Sequence, residues 1–483
     1  MSRRFVTAAL LGVALASRGS AQTPHVAVDT RTELLGLIFK LAGAAEYNQG
    51  RLPAYDADIQ RQFGLFKNHP GVTAARAAHD NDGLSGDVAA TLAVNLSDAP
   101  MLLERQPFDA RPGESRWRTQ SASRFLIEVR RFAVETRATG FLAQHQRLYD
   151  TAAARVRRTL DRNADFGWFG RFFGGPAEQD FTVVPLLTAS GVTYTPTADV
   201  PRHRTERFVM VGYDQADSSG YPVFNDQLAD VVVREYTHAF VNPLVDQFST
   251  QLEGPAGTTY AAVADPLREQ GYGGWVSLSF ETMARAAIAR YYAARMAAGR
   301  DSATARAYLA DQRARGWVWV DDLSALFAAY ETDRTTYPTL RAFMPRVVQF
   351  FDSLPARLPA MQQRYDATRP HVASVSIPAG AMDVDPALRE IAITFDRPMK
   401  PGSFGVNAVP GSRDKMVRIQ QQQFDSTGTV LRLAVSLEPG HDYTFTLNRY
   451  TGGGFISAGD GVPLARTPVQ FRTRPAKTEP GQR

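Results

Sequence analysis

The apolar residues of this chain follow one period before residue 366 and another after it. Ahead of Asp366-Ala-Thr-Arg-Pro370 they recur at helical spacing. Examples are Leu34, Leu35, Leu37, Ile38 and Leu41, then Phe125, Leu126, Val129, Phe132 and Val134. Beyond Pro370 the helical period stops and short alternating runs take over: Val372–Ile377, Ile391–Phe395, Val417–Phe424, Val430–Val435, Tyr443–Leu447 and Val469–Arg472. Gly, Pro, Asn and Asp separate them at roughly the 8–12-residue rhythm of an all-β sandwich. One layer type cannot serve both patterns, so the chain is expected to be an α+β multidomain protein with Asp366–Pro370 as hinge.

Within the first part, helices are predicted over Asp29–Tyr47, with Thr30 or Thr32 as cap, and in short stretches from Tyr55 to Leu96. Asn68-His69-Pro70 and a polar loop, His79-Asp80-Asn81-Asp82-Gly83, interrupt these stretches. A long arginine-studded helical region follows over Ser121–Asp161. Phe181–Tyr194 and Glu206–Gly212 read as strands, and a helix runs from Asp226 to Phe240. Further helices extend to about Arg364, the best defined being Glu281–Ala298, Ala303–Arg315 and Leu340–Leu354. Trp317-Val-Trp319 is expected in the core, and Asp321-Asp322 as a cap before a helix.

The N-terminus bears on location. Arg3 and Arg4 precede an apolar stretch, Phe5–Ala16, and then the small residues Gly19, Ser20 and Ala21. This is the pattern of a secretory signal cleaved after Ala21. Removing Arg3, Arg4 and Arg18, with no acid lost, takes the formal charge from +5 to +2. So small an excess gives no electrostatic case for binding nucleic acid. No apolar run reaches the roughly 18 residues of a spanning helix. With no cysteine, disulfides, thiolate metal sites and thiol catalysis are excluded. The expected division is a signal peptide at 1–21, a main domain at 22–366, a sandwich at 370–474 and a polar tail at 475–483.

Chemistry is concentrated in Val231-Val-Val-Arg-Glu-Tyr-Thr-His-Ala-Phe-Val-Asn-Pro243. In a helix Arg234 and His238 lie at i and i+4, with Glu235 three residues before His238. The zinc-protease pattern H-E-x-x-H places two imidazoles on one metal at that spacing, and its glutamate activates the metal-bound water. Here the first histidine is Arg234. A guanidinium has no lone pair to give and stays charged at any ordinary pH, so it cannot be a ligand.

The segment Arg234-Glu-Tyr-Thr-His-Ala-Phe-Val-Asn-Pro243 resembles the H-E-F-x-H-x-F-V-N-P segment of a bacterial family of exported zincin-like proteins, the domain of unknown function 4932. Arg31-Thr-Glu-Leu-Leu35, Leu41-Ala-Gly43, Glu46-Tyr47-Asn48, Asn68-His69-Pro70 and Trp168-Phe-Gly-Arg-Phe-Phe-Gly174 are similar to it as well. The resemblance spans roughly 29 to 300 and implies a mostly helical zincin-like domain with a small sheet. It also implies Glu235 as general base, His238 as a metal ligand and Glu281 as the third ligand. Glu281 lies in Phe280-Glu281-Thr-Met-Ala-Arg285-Ala286, which resembles the family's N-E-x-x-V-R-A segment. Arg285, one turn on, would orient Glu281 or grip a substrate carboxylate, unless the two form an ordinary surface pair. Two repairs of the missing histidine are open. His203, His69 or His79 would reach the metal, or Arg234 replaces the metal by pairing with Glu281 or Glu235. The second account explains why a cation stands at the altered position.

Residues Pro370 to Arg474 resemble the bacterial Ig-like domain of surface-layer proteins. The resemblance rests on Val375-Ser-Ile-Pro-Ala-Gly380, Val384-Asp-Pro386, Ile393-Thr-Phe-Asp-Arg-Pro-Met-Lys400, Leu437-Glu-Pro-Gly-His-Asp-Tyr-Thr444 and Val469-Gln-Phe471. It implies a spacer or contact surface for a protein, peptide or envelope partner. Asp80-Asn-Asp82-Gly83 has a faint calcium-loop pattern but lacks the bidentate glutamate. The expectation is an exported metallopeptidase-like protein with a degraded zinc site and no cofactor. Its alternative is an active secreted zinc peptidase that uses Glu235 and a further ligand. A third reading takes R-E-x-x-H as coincidence in an exported helical domain.

Overall fold

The computed structural model describes residues 23–84, 86–106, 120–200, 202–450 and 453–476. The expected signal segment and most of the polar tail lie outside the described residues. The chain forms two compact units, one ending at Phe240 and one beginning at Val241.

The first unit starts with β1 (His25–Val26) and α1 (Thr30–Ala42), followed by α2 (Pro53–Phe63), α3 (Pro70–Asp82) and α4 (Gly86–Val94). Next come α5 (Gln120–Glu135), α6 (Ala138–Gln144), α7 (Gln146–Asn163) and α8 (Phe166–Phe173). The strands are β2 (Asp180–Ser190), β3 (Thr193–Tyr194), β4 (Thr197–Ala198), β5 (Glu206–Tyr213), β6 (Gln215–Ala216) and β7 (Pro222–Val223); α9 (Leu228–Gln247) follows. The sheet has the order β1-β2-β5-β3, with β4 also on β5. Its central pair β2 and β5 is parallel, in register from Asp180↔Glu206 to Leu186↔Gly212, and slips between Leu186 and Ser190.

Helix α1 is buried on nearly every side, as expected of an almost continuous apolar run. Its cap is Asp29, whose carboxylate accepts from Arg31 N at 2.9 Å, rather than Thr30 or Thr32. Gly36 turns toward β2, where a methyl group would lie 2.1 Å from the Thr188 hydroxyl oxygen. The absence of a side chain is what lets the helix seat on the strand. The expected polar loop at His79–Asp82 is instead the last turn of α3, closed by Gly83 at φ 61°. The helical region expected at 121–161 is divided among α5, α6 and α7, with Arg137 left-handed at φ 55° between α5 and α6.

The second unit contains α10 (Ser249–Ala262), α11 (Ala264–Glu269), α12 (Trp275–Ala297), α13 (Ser302–Ala314), α14 (Val320–Thr332) and α15 (Leu340–Asp366). Trp317 and Trp319 are fully buried in the turn before α14. Asp321 and Asp322 stand inside the first turn of α14 rather than before it. Asp321 accepts from Arg313 Nη1 at 2.8 Å, and Asp322 pairs with Arg357. Helix α15 passes three prolines, at 345, 355 and 359, without ending.

The sandwich comprises β8 (Val372–Val375), β9 (Glu390–Phe395), β10 (Val406–Ala408), β11 (Arg418–Phe424), β12 (Val430–Ser436), β13 (Asp442–Leu447) and β14 (Thr467–Arg472). The sheets are β11-β12-β9-β8 and β10-β13-β14. Ile391, Ile393, Leu431 and Leu433 from one sheet meet Phe445, Leu447 and Phe471 from the other in a common core. The protein is thus α+β and multidomain, with a strand-rich Ig-like C-terminal region. Strand β10, only three residues long, was not anticipated.

Candidate functional site

Aromatic packing sets the orientation of α9. Phe169 of α8 meets Tyr236 edge-on at 4.9 Å, and Phe173 stacks on Phe240 at 4.6 Å. Tyr236 and Phe240 are one turn apart and form one face. The tract Trp168–Gly174 and the α9 segment, joined above only by resemblance, are therefore packing partners. Asp165 starts α8 by accepting from Trp168 N at 3.1 Å, and Gly174 ends it at φ 82°.

Glu235 and His238, three residues apart, share another face of α9, and both are buried. Arg234 is half-exposed, and its Nη2 lies 2.7 Å from Oε1 of Glu235. Adjacent helical residues diverge by about 100°, so the arginine has to curl around the helix to make this contact. Arg207, at the start of β5, lies in the field of Glu235 while burial lowers its own pKa. Its Nε donates to Gln179 Oε1 at 3.1 Å. The Glu235 carboxylate thus pairs with one guanidinium and acts electrostatically on a second.

In the second unit, Glu281 and Arg285 of α12 pair at 2.8 Å, Nη2 to Oε2, with side chains only 11% and 10% exposed. This is the i, i+4 pair expected from spacing, but it is a buried pair and not a surface one. Arg285 also donates to Tyr272 Oη at 3.0 Å and to Gln312 Oε1. Its guanidinium lies 4.5 Å from the ring centre of Trp317.

Two of the three histidines proposed as replacement ligands, His69 and His79, have other partners. His69 caps α3, with Nδ1 accepting from Gly71 N at 2.9 Å and Nε2 3.0 Å from Glu135 Oε2. Both ring nitrogens are taken. His79 sits 2.7 Å from Asp80 Oδ1, a contact that raises its pKa. His203 is exposed in the connection before β5.

Residues 54–350, more than half of the chain, match the model of the family described as Domain of unknown function (DUF4932). The chain belongs to the DUF4932 family. Residues 366–471 match the bacterial Ig-like domain. No curated protein is recognisably similar in sequence to this DUF4932 protein. Among solved structures, CopC from Methylosinus trichosporium OB3b is 11% identical, with a TM-score of 0.18, covering 23% of this chain and 99% of that one. The S-layer protein SbsC is 14% identical at a TM-score of 0.16, covering 50% of this chain and 33% of that one. Likenesses this slight carry no argument.

The residues of the DUF4932 protein do not fit a zinc site of the H-E-x-x-H kind. Arg234 has no lone pair to offer, and the carboxylates of Glu235 and Glu281 are each held by an arginine. Among the described residues no group of three His, Cys, Asp or Glu side chains is placed to share a metal ion. Sequence reasoning missed Arg207, which interacts electrostatically with Glu235, and Tyr272 and Gln312, which accept from Arg285. Arg207 carried a signal, being a charge in the otherwise apolar strand Arg207-Phe-Val-Met-Val-Gly-Tyr213. Tyr272 and Gln312 carried none.

Proposed function

We propose that this is an exported envelope protein descended from a zincin-like metallopeptidase. Its scaffold and Ig-like module serve binding or envelope structure rather than peptide hydrolysis. The observation that carries this reading is the 2.7 Å pair between Arg234 and Glu235. The residue in the first ligand's place neutralises the carboxylate that would act as base. The carboxylate oxygen that would face a metal-bound water is instead paired with a guanidinium. At the position of the third ligand Glu281 is paired with Arg285, the arginine of its own motif.

The division of the chain follows the same reading: a signal at 1–21, the metallopeptidase-related domain at 22–366 and the Ig-like module at 370–474. In the described residues no helix is long and apolar enough to cross a membrane. The reading is tested by incubating the purified chain and its Glu235→Gln variant with denatured casein and zinc. The expected result is background hydrolysis from both. Turnover by the wild type that the variant loses refutes the reading. N-terminal sequencing of the protein recovered from the envelope fraction is expected to begin at Gln22.

A further inference from the structure

Within the second unit, a cleft of about 640 Å³ lies between α13 and an end of the sandwich formed by Arg449 and residues 453–463. That volume is within the range of roughly 300–1,000 Å³ in which ligand sites occur. One wall is a row of methyl groups, Ala303, Ala307, Ala310 and Ala314, at i, i+4, i+7 and i+11 of α13. The row is about 16 Å long at helical rise, the reach of roughly five extended residues. Ile456, Val462 and Pro463 face it.

The sandwich wall is held in shape. Asn448, left-handed at φ 59°, donates to Phe455 O at 2.9 Å and Leu464 O at 3.2 Å and accepts from Phe455 N at 2.7 Å. Arg449 follows directly and reaches the cleft.

The charges of the lining are unevenly spent. Asp311 accepts from Arg315 Nε at 2.8 Å, and Asp460 from Val462 N at 3.1 Å and the Ser457 hydroxyl. Arg313 is engaged with Asp321. Arg306 and Arg449 are exposed, and among the described residues neither has a carboxylate partner. Arg306 reaches only Ser302 Oγ at 3.5 Å, and Arg449 donates to Ala408 O at 3.1 Å. The hydroxyl of Tyr365, a residue also in the lining, is buried and has no hydrogen-bond partner among the described residues. A hydroxyl without an internal partner is left for an incoming acceptor to satisfy.

We propose that this cleft binds an acidic peptide segment in extended form. Its carboxylates meet Arg306 and Arg449, an acceptor meets the Tyr365 hydroxyl, and small apolar side chains lie on the alanine row. The length of the row favours a chain over a compact anion, and the uncompensated arginines set the sign of its charge. The proposal goes beyond the reading of α9 and holds whether or not that helix ever held a metal.

The test is calorimetric titration of the full chain with the acetylated, amidated pentapeptide Ala-Glu-Leu-Glu-Ala. Its Gln-for-Glu isostere and anionic phosphatidylglycerol vesicles are run alongside. The acidic peptide is expected to bind about tenfold more tightly than the isostere, an advantage that Arg306→Glu with Arg449→Glu abolishes. Tyr365→Phe is expected to weaken binding severalfold without lowering the melting temperature. Equal affinity for the two peptides, affinity unchanged by charge reversal, no binding, or binding of the vesicles alone overturns the proposal. Both arginines are exposed, so an unchanged circular dichroism spectrum shows that the variants remain folded.

Discussion

Arg234 and Glu235 are consecutive residues of one helix, yet a guanidinium nitrogen of the first lies 2.7 Å from a carboxylate oxygen of the second. Neighbours on a helix do not face each other, so the contact depends on the length and reach of arginine. Glu235 is buried and Arg234 half-exposed, which limits the strength of the pair. Arg234→Gln is expected to destabilise the protein by about 1 kcal/mol, discounted for solvent screening. Combining it with Glu235→Gln is expected to recover most of that loss. Urea denaturation of the four members of this cycle measures the coupling.

Glu33 provides a pH-dependent term in stability. It is fully buried on α1, where it accepts from Leu187 N at 2.8 Å and Tyr55 Oη at 3.1 Å. Leu187 begins the slip in the pairing of β2 with β5, so the carboxyl serves a backbone amide at an irregular point in the sheet. Burial pushes its pKa up to about 7, against the lowering effects of these hydrogen bonds and of Lys40. A carboxyl that titrates higher in the folded state binds its proton more tightly there. Its contribution is therefore fully present below the unfolded value of 4.5 and lost as pH rises toward 7. The loss is on the order of 3 kcal/mol. Glu33→Gln is expected to flatten this part of the stability profile, as followed by denaturation midpoints from pH 4 to 8.

The pair of Glu281 with Arg285 predicts a larger mutational effect than the one on α9, because both its side chains are buried. Arg285→Met leaves Glu281 charged without its partner and is expected to cost about 3 kcal/mol. Arg285→Lys is expected to cost nearly as much, since an ammonium cannot serve Glu281, Tyr272 and Gln312 together. If thermal unfolding shows either variant as stable as wild type, the cluster is not structural.

Gly36→Ala tests the seating of α1 on the sheet. The added methyl would lie 2.1 Å from Thr188 Oγ1 and 2.8 Å from Thr188 Cβ. A loss of about 1–3 kcal/mol is expected. Thr188→Ala removes only the nearer of the two contacts, so in the double variant it should restore part of the loss.

The two periods of apolar residues were legible in the sequence because each alternation matches a buried face, as in β9 and β12. Helix ends were less legible. The helix from Leu340 was best defined only as far as Leu354. Yet Phe350, Phe351, Leu354, Leu358 and Met361 form a continuous buried stripe that carries α15 on to Asp366. Tertiary packing there outweighs the lost amide bonds. At His79–Asp82 the polar composition suggested a loop, but Gly83 supplies the stop. In the candidate site, the spacing of Arg234, Glu235 and His238 could be read, whereas Arg207 comes from a strand distant in sequence. Which arginine holds which carboxylate depends on side-chain reach, which helical spacing alone does not encode.

The most direct test is the zinc content of the mature protein purified without chelator, measured beside an Arg234→His variant. The account predicts a wild type free of zinc, with uptake only in the variant once an imidazole stands in the ligand's place. About one zinc per wild-type chain would contradict it, because the Arg234 guanidinium could not then have taken the metal's place beside Glu235.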